Sequence, residues 1–552
     1  MEHPDILKKV KFDTLTQALE YAAKTSKGVN FYDENGDLIS WHSYADLQQE
    51  AVLVASKLAS LGLPRHSFIG VIAQVSYEFP LMFYACQYAG FIPCPLPSDY
   101  ISGGEEGYVR SLLAIANKTK ISVFIGPENY RFLVQKVLHE TEKSRQSTFF
   151  NFDEIRRLTS ENNITPFHAD DPAYLQFSSG STANPKGIWV TQKSATASVA
   201  NLLKYGLEAR STNRTVSWIP FYHTAGLSGV LLATVAGIST CDYISPATFI
   251  RNPSVWIKLL SQNPEPKTTF APSFAWEIAS KIPNPGDYDL SSLRIAGIAG
   301  DTIRLNALEA FDRTFRNSGF KRENFLSCYG LSEFVSGIVY DHPEKGLHIY
   351  QDQNGKEHVS VGSAFPSVDL IVVDDKGEAL PEKETGYIWI RAPELHCEYF
   401  EDKEAMQALS RRDGYYDTGD MGFIADGRLF ISGRSKDMIL FKGRNIWPQD
   451  IETIAESCLA SSKSAIAFSV ETDMAEKIIV LAESDEQIPE KRKELFSEIR
   501  SAILLNLGIS AEIVFVPKKT LPYTESNKPA RAQARELYIR EYMKLSHKEG
   551  KV

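Results

Sequence analysis

Residues 176–187 read QFSSGSTANPKG, a run of small and hydroxyl-bearing side chains closed by Asn-Pro-Lys-Gly. Small residues let the backbone come close to an anion. Ser178, Ser179, Ser181 and Thr182, with the N–H groups around Gly180, can donate to phosphate oxygens, and Lys186 adds a mobile positive charge. Strand-like runs at 173–175 and 188–190 flank the segment, so it is predicted as a loop hanging off a sheet edge. A Ser/Gly-rich surface linker has a similar composition, but linkers rarely carry a Pro-Lys-Gly exit into a strand. The pattern also differs from the Walker loop, which needs Gly-Lys-Ser/Thr opening a helix.

Four further segments carry groups suited to a nucleotide. Tyr329, Gly330, Ser332 and Glu333 offer an aromatic face, a glycine, a hydroxyl and a carboxylate in one short stretch. That set fits base stacking, phosphate contact and Mg²⁺ ligation. Asp417 and Asp420 flank a predicted tight turn, from which Asp420 can chelate the vicinal hydroxyls of a ribose. Arg434, in the string GRSKD, can reach ribose or phosphate. Lys528 lies in a polar loop after a predicted strand. Each of these, taken alone, also fits a solvated turn or a surface ion pair.

Composition narrows the setting. At 552 residues the chain exceeds what one core normally holds, so two or more domains are expected. Hydrophobic content of 43% and charged content of 23% are those of an ordinary globular protein. A net charge of −10, with no block of Lys or Arg, argues against nucleic acid as a partner. The 6 cysteines form no CxxC pair, which argues against a zinc site or disulfide framework and fits a reducing compartment. No apolar signal core opens the chain and no long apolar run follows, so a cytoplasmic protein without membrane insertion is predicted.

The elements that must position these groups are legible as periodicity. Up to about residue 430, strand-like runs alternate with helical spacing, as at 15–24, 44–61 and 80–88, which predicts parallel sheets covered by helices. Between 359 and 432 the rhythm shortens to strands and turns, predicting a small β-barrel-like or antiparallel subdomain. After the GRSKD string, strands at 464–470, 478–482 and 511–516 with a helix at 490–507 predict a small α+β lid. The fold class is therefore α/β, with domains expected at 1–433 and 434–552.

In their order and spacing, the SSGST…PKG loop, YGLSE, DTGD, GRSKD and the terminal lysine resemble the adenylate-forming superfamily, over nearly the whole chain. That superfamily contains acyl-CoA synthetases, nonribosomal peptide adenylation domains and luciferases. The string at 441–452, FKGRNIWPQDIE, looks most like the fatty acyl-AMP ligases within it, as do residues 38–47 and 89–96. The resemblance implies activation of a carboxylic acid by ATP and Mg²⁺ to an acyl-adenylate. The acyl group then passes to the phosphopantetheine of an acyl carrier protein, or alternatively to free CoA. It further implies that residues 178–186 hold the ATP phosphates, and that Tyr329 packs on adenine beside Ala299, Gly300 and Asp301. Ser332 would touch the α-phosphate, Glu333 would ligate Mg²⁺, Asp420 would bind the ribose and Arg434 would support it. Lys528 would bridge the reacting carboxylate and the ester oxygen, His223 would stand at the mouth of the carboxylate pocket, and Lys436 would be the hinge of the lid.

Four departures from the family pattern accompany the match. Ala183 stands where the loop usually has Gly, Asn527 and Pro529 flank Lys528, and Thr224 replaces an Asp that often follows the pocket His. The stretch between Glu333 and Gly362 is also shorter than in fatty acyl-AMP ligases, which keeps CoA open as acceptor. A degenerate homologue acting only as a binding protein is the remaining alternative, against which the retained Glu333, Asp420, Arg434 and Lys528 argue.

Overall fold

Strands Arg214–Ser217, Lys267–Ala271, Leu293–Ile298 and Phe325–Gly330 lie side by side and parallel. All of Leu293–Ile298 is buried, as strands covered on both faces require. The computed structural model describes residues 10–98, 104–140, 147–161, 163–178, 185–210, 212–353, 355–441, 444–459, 464–471, 476–524 and 528–542. Thr240–Tyr243 and Gly28–Tyr32 extend the parallel row on one side. On the other side the sheet turns antiparallel through Gly337–Tyr340 and Glu357–Ala364 and continues into Arg428–Arg434, Tyr416–Ala425, Gly386–Arg391 and Asp369–Val373. The whole makes a 14-stranded sheet. The segment expected to be barrel-like is thus the antiparallel end of the main sheet, and among the described residues it does not close.

A second, parallel sheet of four strands places Ile92–Leu96, Phe68–Ile72, Val123–Gly126 and Thr148–Asn151 in that order. The helix Glu78–Ala89 beside it buries eleven of its residues, since it is apolar almost all round, and Gly90 ends it at φ 75°. Tyr44–Ala59 opens on a reciprocal cap in which Ser43 and Asp46 satisfy each other's backbone N–H groups. A third sheet joins Pro172–Ser178, Lys186–Thr191 and Glu398–Tyr399 in antiparallel fashion. Its hairpin carries the loop read as a phosphate cradle.

From Ile439 onward the chain packs around cores of its own. Strands Ala465–Glu471, Glu476–Glu483 and Ala511–Val516 form a separate sheet, with helices Pro448–Leu459 and Pro489–Leu507 against it. Among the described residues no helix is long and apolar enough to cross a membrane.

Candidate active site

The four parallel strands at the centre of the sheet all run toward one edge, and the polar segments follow directly from their carboxyl ends. Arg214–Ser217 leads to His223, Leu293–Ile298 to Ala299, Gly300 and Asp301, and Phe325–Gly330 to Ser332 and Glu333. Ligands of open α/β sheets bind outside this edge, because the strand ends and the loops leaving them are the exposed polar groups there. Gly300 adopts φ 83°, and a side chain at Gly330 would strike the Ser336 carbonyl oxygen at 2.3 Å. Both positions therefore demand glycine.

Asp420 is not in a turn as expected. It lies within the strand Tyr416–Ala425, where Gly419 at φ 70° kinks the chain and Asp420 pairs across the ladder with Arg434. Its carboxylate accepts a 2.5 Å bond from the Tyr329 hydroxyl and lies 2.8 Å from Arg434 Nε. Burial raises the Asp420 pKa against the pull of Arg434 and the Tyr329 bond. Tyr329 and Asp420, predicted for base and ribose, thus stand edge to edge.

His223 precedes a π-helical segment, Ala225–Leu232, and its Nδ1 accepts from the Ala225 N–H at 3.2 Å. Burial and the nearby charge of Lys528 push its pKa down to about 4, so the ring is neutral at physiological pH. The next residue, Thr224, joins this corner to the Glu333 segment. Its hydroxyl lies 2.9 Å from Ser332 Oγ and 3.2 Å from Gln176 Oε1.

Glu333 sits in a single 3₁₀ turn, Ser332–Phe334, that ends in an unusual backbone. Val335 adopts φ 69° and ψ −42°, and the Ser336 N–H bonds the Phe334 carbonyl at 2.8 Å. This is a γ-turn of the rare hand on a β-branched residue, costing on the order of 1–3 kcal/mol. The Glu333 carboxylate accepts a 2.5 Å bond from the Tyr399 hydroxyl, and the Lys186 ammonium lies 4.4 Å from the centroid of the same ring.

Lys528 comes from the far end of the chain. A short bridge between Tyr523 and Pro529 closes its loop, and its N–H bonds Thr524 Oγ1 at 3.1 Å. Burial and Arg434 lower its pKa, while Asp301 and Asp420 act in the opposite direction. Lys528 therefore lies within electrostatic reach of Asp301, Asp420, Arg434 and His223. Lys436 lies in the 3₁₀ turn Ser435–Asp437, just beyond Arg434.

Ser179, Gly180, Ser181, Thr182, Ala183 and Asn527 lie outside the described residues, and Ser178 is described only as the last residue of its strand. Sequence reasoning missed Tyr399, Gln176 and the strained Val335. Tyr399 follows a His-Cys-Glu run that carries no motif of its own, and only pairing with Lys186–Thr191 sets it beside the site.

The family model described as AMP-binding enzyme matches residues 19–400. The chain belongs to the AMP-binding enzyme family. A putative acyl-CoA synthetase of Caulobacter vibrioides is 32% identical, over 96% of each chain. A medium-chain-fatty-acid–[acyl-carrier-protein] ligase, JamA, of Moorena producens is 26% identical, over 97% of this chain and 96% of its own. Among solved structures, one from work on fatty acyl-adenylate ligases of E. coli and L. pneumophila superposes with a TM-score of 0.90. It is 31% identical and covers 97% of this chain and 99% of its own. The chain is accordingly an adenylate-forming ligase that uses ATP.

Proposed function

We propose that this enzyme activates a fatty acid to acyl-AMP, releasing pyrophosphate, and then passes the acyl group to the phosphopantetheine thiol of an acyl carrier protein, releasing AMP, in the cytoplasm. The observation that supports the reading is the Tyr329–Asp420–Arg434 cluster, within whose electrostatic reach Lys528 stands, from the far end of the chain, with Asp301 and His223 close by in the same sense. A lysine among these groups suits the junction of carboxylate and nucleotide, where two anions must meet.

In this reading a carboxylate oxygen attacks the α-phosphorus of ATP, one P–O bond forms, and the bond to pyrophosphate breaks. Lys528 neutralises charge that accumulates as the anions approach. Neutral His223 leaves that task to the lysine and borders the carboxylate without adding a second charge. Asp420 and Arg434 hold the ribose, Tyr329 the adenine beside Ala299, Gly300 and Asp301, and Ser332 the α-phosphate. Ser178, Ser179, Gly180, Ser181, Thr182 and Lys186 hold the outer phosphates.

Glu333 fits a Mg²⁺ ion: it is a hard oxygen donor in the segment next to the phosphate lysine, and Mg²⁺ is commonly held by one or two carboxylates plus phosphates. Bound there, the ion would supply charge neutralisation on the phosphates. The separate cores beyond Ile439 support a division into residues 1–433 and a lid of 434–552, which would turn at Lys436.

Pyrophosphate exchange with a panel of carboxylic acids tests the first half-reaction, and its absence with every acid would overturn it. For the second half, preformed acyl-adenylate is offered to holo carrier protein and to CoA in separate tubes. The name of the Caulobacter relative favours CoA, so faster acylation of CoA by about tenfold, or roughly 1.4 kcal/mol, would move the assignment to an acyl-CoA synthetase.

A further inference from the structure

One buried side chain touches both the metal carboxylate and the phosphate lysine. Tyr399, 6% exposed, lies in the two-residue strand Glu398–Tyr399, which pairs with Lys186–Thr191 in the register Tyr399 to Ile188. Its neighbours anchor that strand on both flanks. The Cys397 N–H bonds the Glu333 carbonyl at 2.7 Å, and the Phe400 N–H bonds the Gly187 carbonyl at 2.7 Å. The hydroxyl donates to Glu333 Oε1 at 2.5 Å and has Tyr416 Oη 3.3 Å away. Lys186 Nζ stands 4.4 Å from the ring centroid.

We propose that Tyr399 is a positioning residue: its hydroxyl aims the Glu333 carboxylate at the metal and its ring seats the Lys186 ammonium for the phosphates. Two physical effects of different kind act through the one ring. A phenol O–H bonded to a carboxylate is charge-assisted and short, so it fixes the carboxylate's rotation. An ammonium near an aromatic ring is drawn by the ring's quadrupole, so the lysine is held at low cost in conformational freedom. Because both contacts belong to one rigid side chain, the carboxylate and the ammonium keep a set separation before any nucleotide arrives.

The proposal rests on Glu333 facing the metal and Lys186 the phosphates, and the two effects separate by substitution. The readout is calorimetric binding of α,β-methylene-ATP, whose α–β bridge cannot break to release pyrophosphate, across a Mg²⁺ titration and in its absence. Tyr399→Phe keeps the ring, so metal-free affinity should hold while the Mg²⁺ needed for half-maximal binding rises roughly tenfold. Tyr399→Leu should add a loss of metal-free affinity of roughly threefold, matching the direction of Lys186→Ala. Should Glu333→Gln shift the Mg²⁺ requirement while Tyr399→Phe does not, the Tyr399 role is overturned and the metal role stands. Should Glu333→Gln itself leave the requirement unchanged, the metal role fails and takes the hydroxyl half of the proposal with it. Lys186→Ala weakening metal-free binding while a folded Tyr399→Leu does not would overturn the ring half. Thermal melts of both Tyr399 variants establish folding, and Tyr399→Phe, which keeps the packing volume, carries the test if the leucine variant melts early.

Discussion

Thr224 Oγ1 stands 2.9 Å from Ser332 Oγ, across 108 residues of sequence, and so ties the corner after His223 to the turn that carries Glu333. This threonine replaces the aspartate often found there in fatty acyl-AMP ligases. A neutral hydroxyl keeps the link without adding a negative charge beside Ser332. Thr224→Val should therefore cost about 1 kcal/mol of stability and slow pyrophosphate exchange, while Thr224→Ser stays near wild type. Equal exchange rates for the valine and serine variants would show that the link has no bearing on Ser332.

Lys528→Ala should lower the adenylation rate roughly 100-fold, about 3 kcal/mol of lost transition-state charge stabilisation. Single-turnover pyrophosphate release measures it directly. A near-normal rate would mean that another cation faces the reacting atoms.

Glu333→Gln should leave the melting temperature close to wild type but raise the Mg²⁺ concentration that supports exchange. The substitution keeps the shape and can still accept from Tyr399, so the change isolates the charge.

His223 gives a pH prediction with a definite sign. Its pKa is about 4 in the fold against an ordinary 6.5, so between those values the unfolded chain binds a proton that the folded chain refuses. Stability at this site is therefore complete above 6.5 and lost as pH falls toward 4, by at most roughly 3 kcal/mol. Denaturant midpoints from pH 7 to 4 should fall less steeply for His223→Gln than for wild type, and parallel curves would contradict the assignment.

Two ion pairs reach across to the helix Pro448–Leu459, and they should differ in weight. Lys356 and Asp450 meet at 2.7 Å with the lysine 47% exposed, whereas Arg304 meets Glu456 at 2.8 Å with the glutamate 7% exposed. Lys356→Ala should cost under about 1 kcal/mol, and Arg304→Ala about 3 kcal/mol, because the second leaves a carboxylate buried without its guanidinium. Chemical denaturation of both variants distinguishes them.

Much of the architecture was legible in the sequence because periodicity records burial. The spacing at 44–61 marks the helix Tyr44–Ala59, and the runs at 478–482 and 511–516 mark strands that pair side by side with the helix predicted at 490–507 between them in sequence. The candidate nucleotide segments were legible too, since phosphate, ribose and metal each demand particular residue types whatever surrounds them. The tertiary structure alone decided the rest. Asp420 reads locally as a turn because Asp-Thr-Gly-Asp favours one, yet pairing with Arg434 draws it into a strand. The run at 359–432 reads as a small barrel or an antiparallel subdomain and is antiparallel, but only the tertiary structure shows that Gly337–Tyr340 and Glu357–Ala364 splice it onto the main sheet. Tyr399 and Glu333 are 66 residues apart, and no local preference encodes their bond. The same holds for Val335, whose strained backbone persists because a buried turn between two strands leaves it no alternative. Local propensity and chemical type are written residue by residue, whereas these contacts exist only once distant segments pack and exclude water.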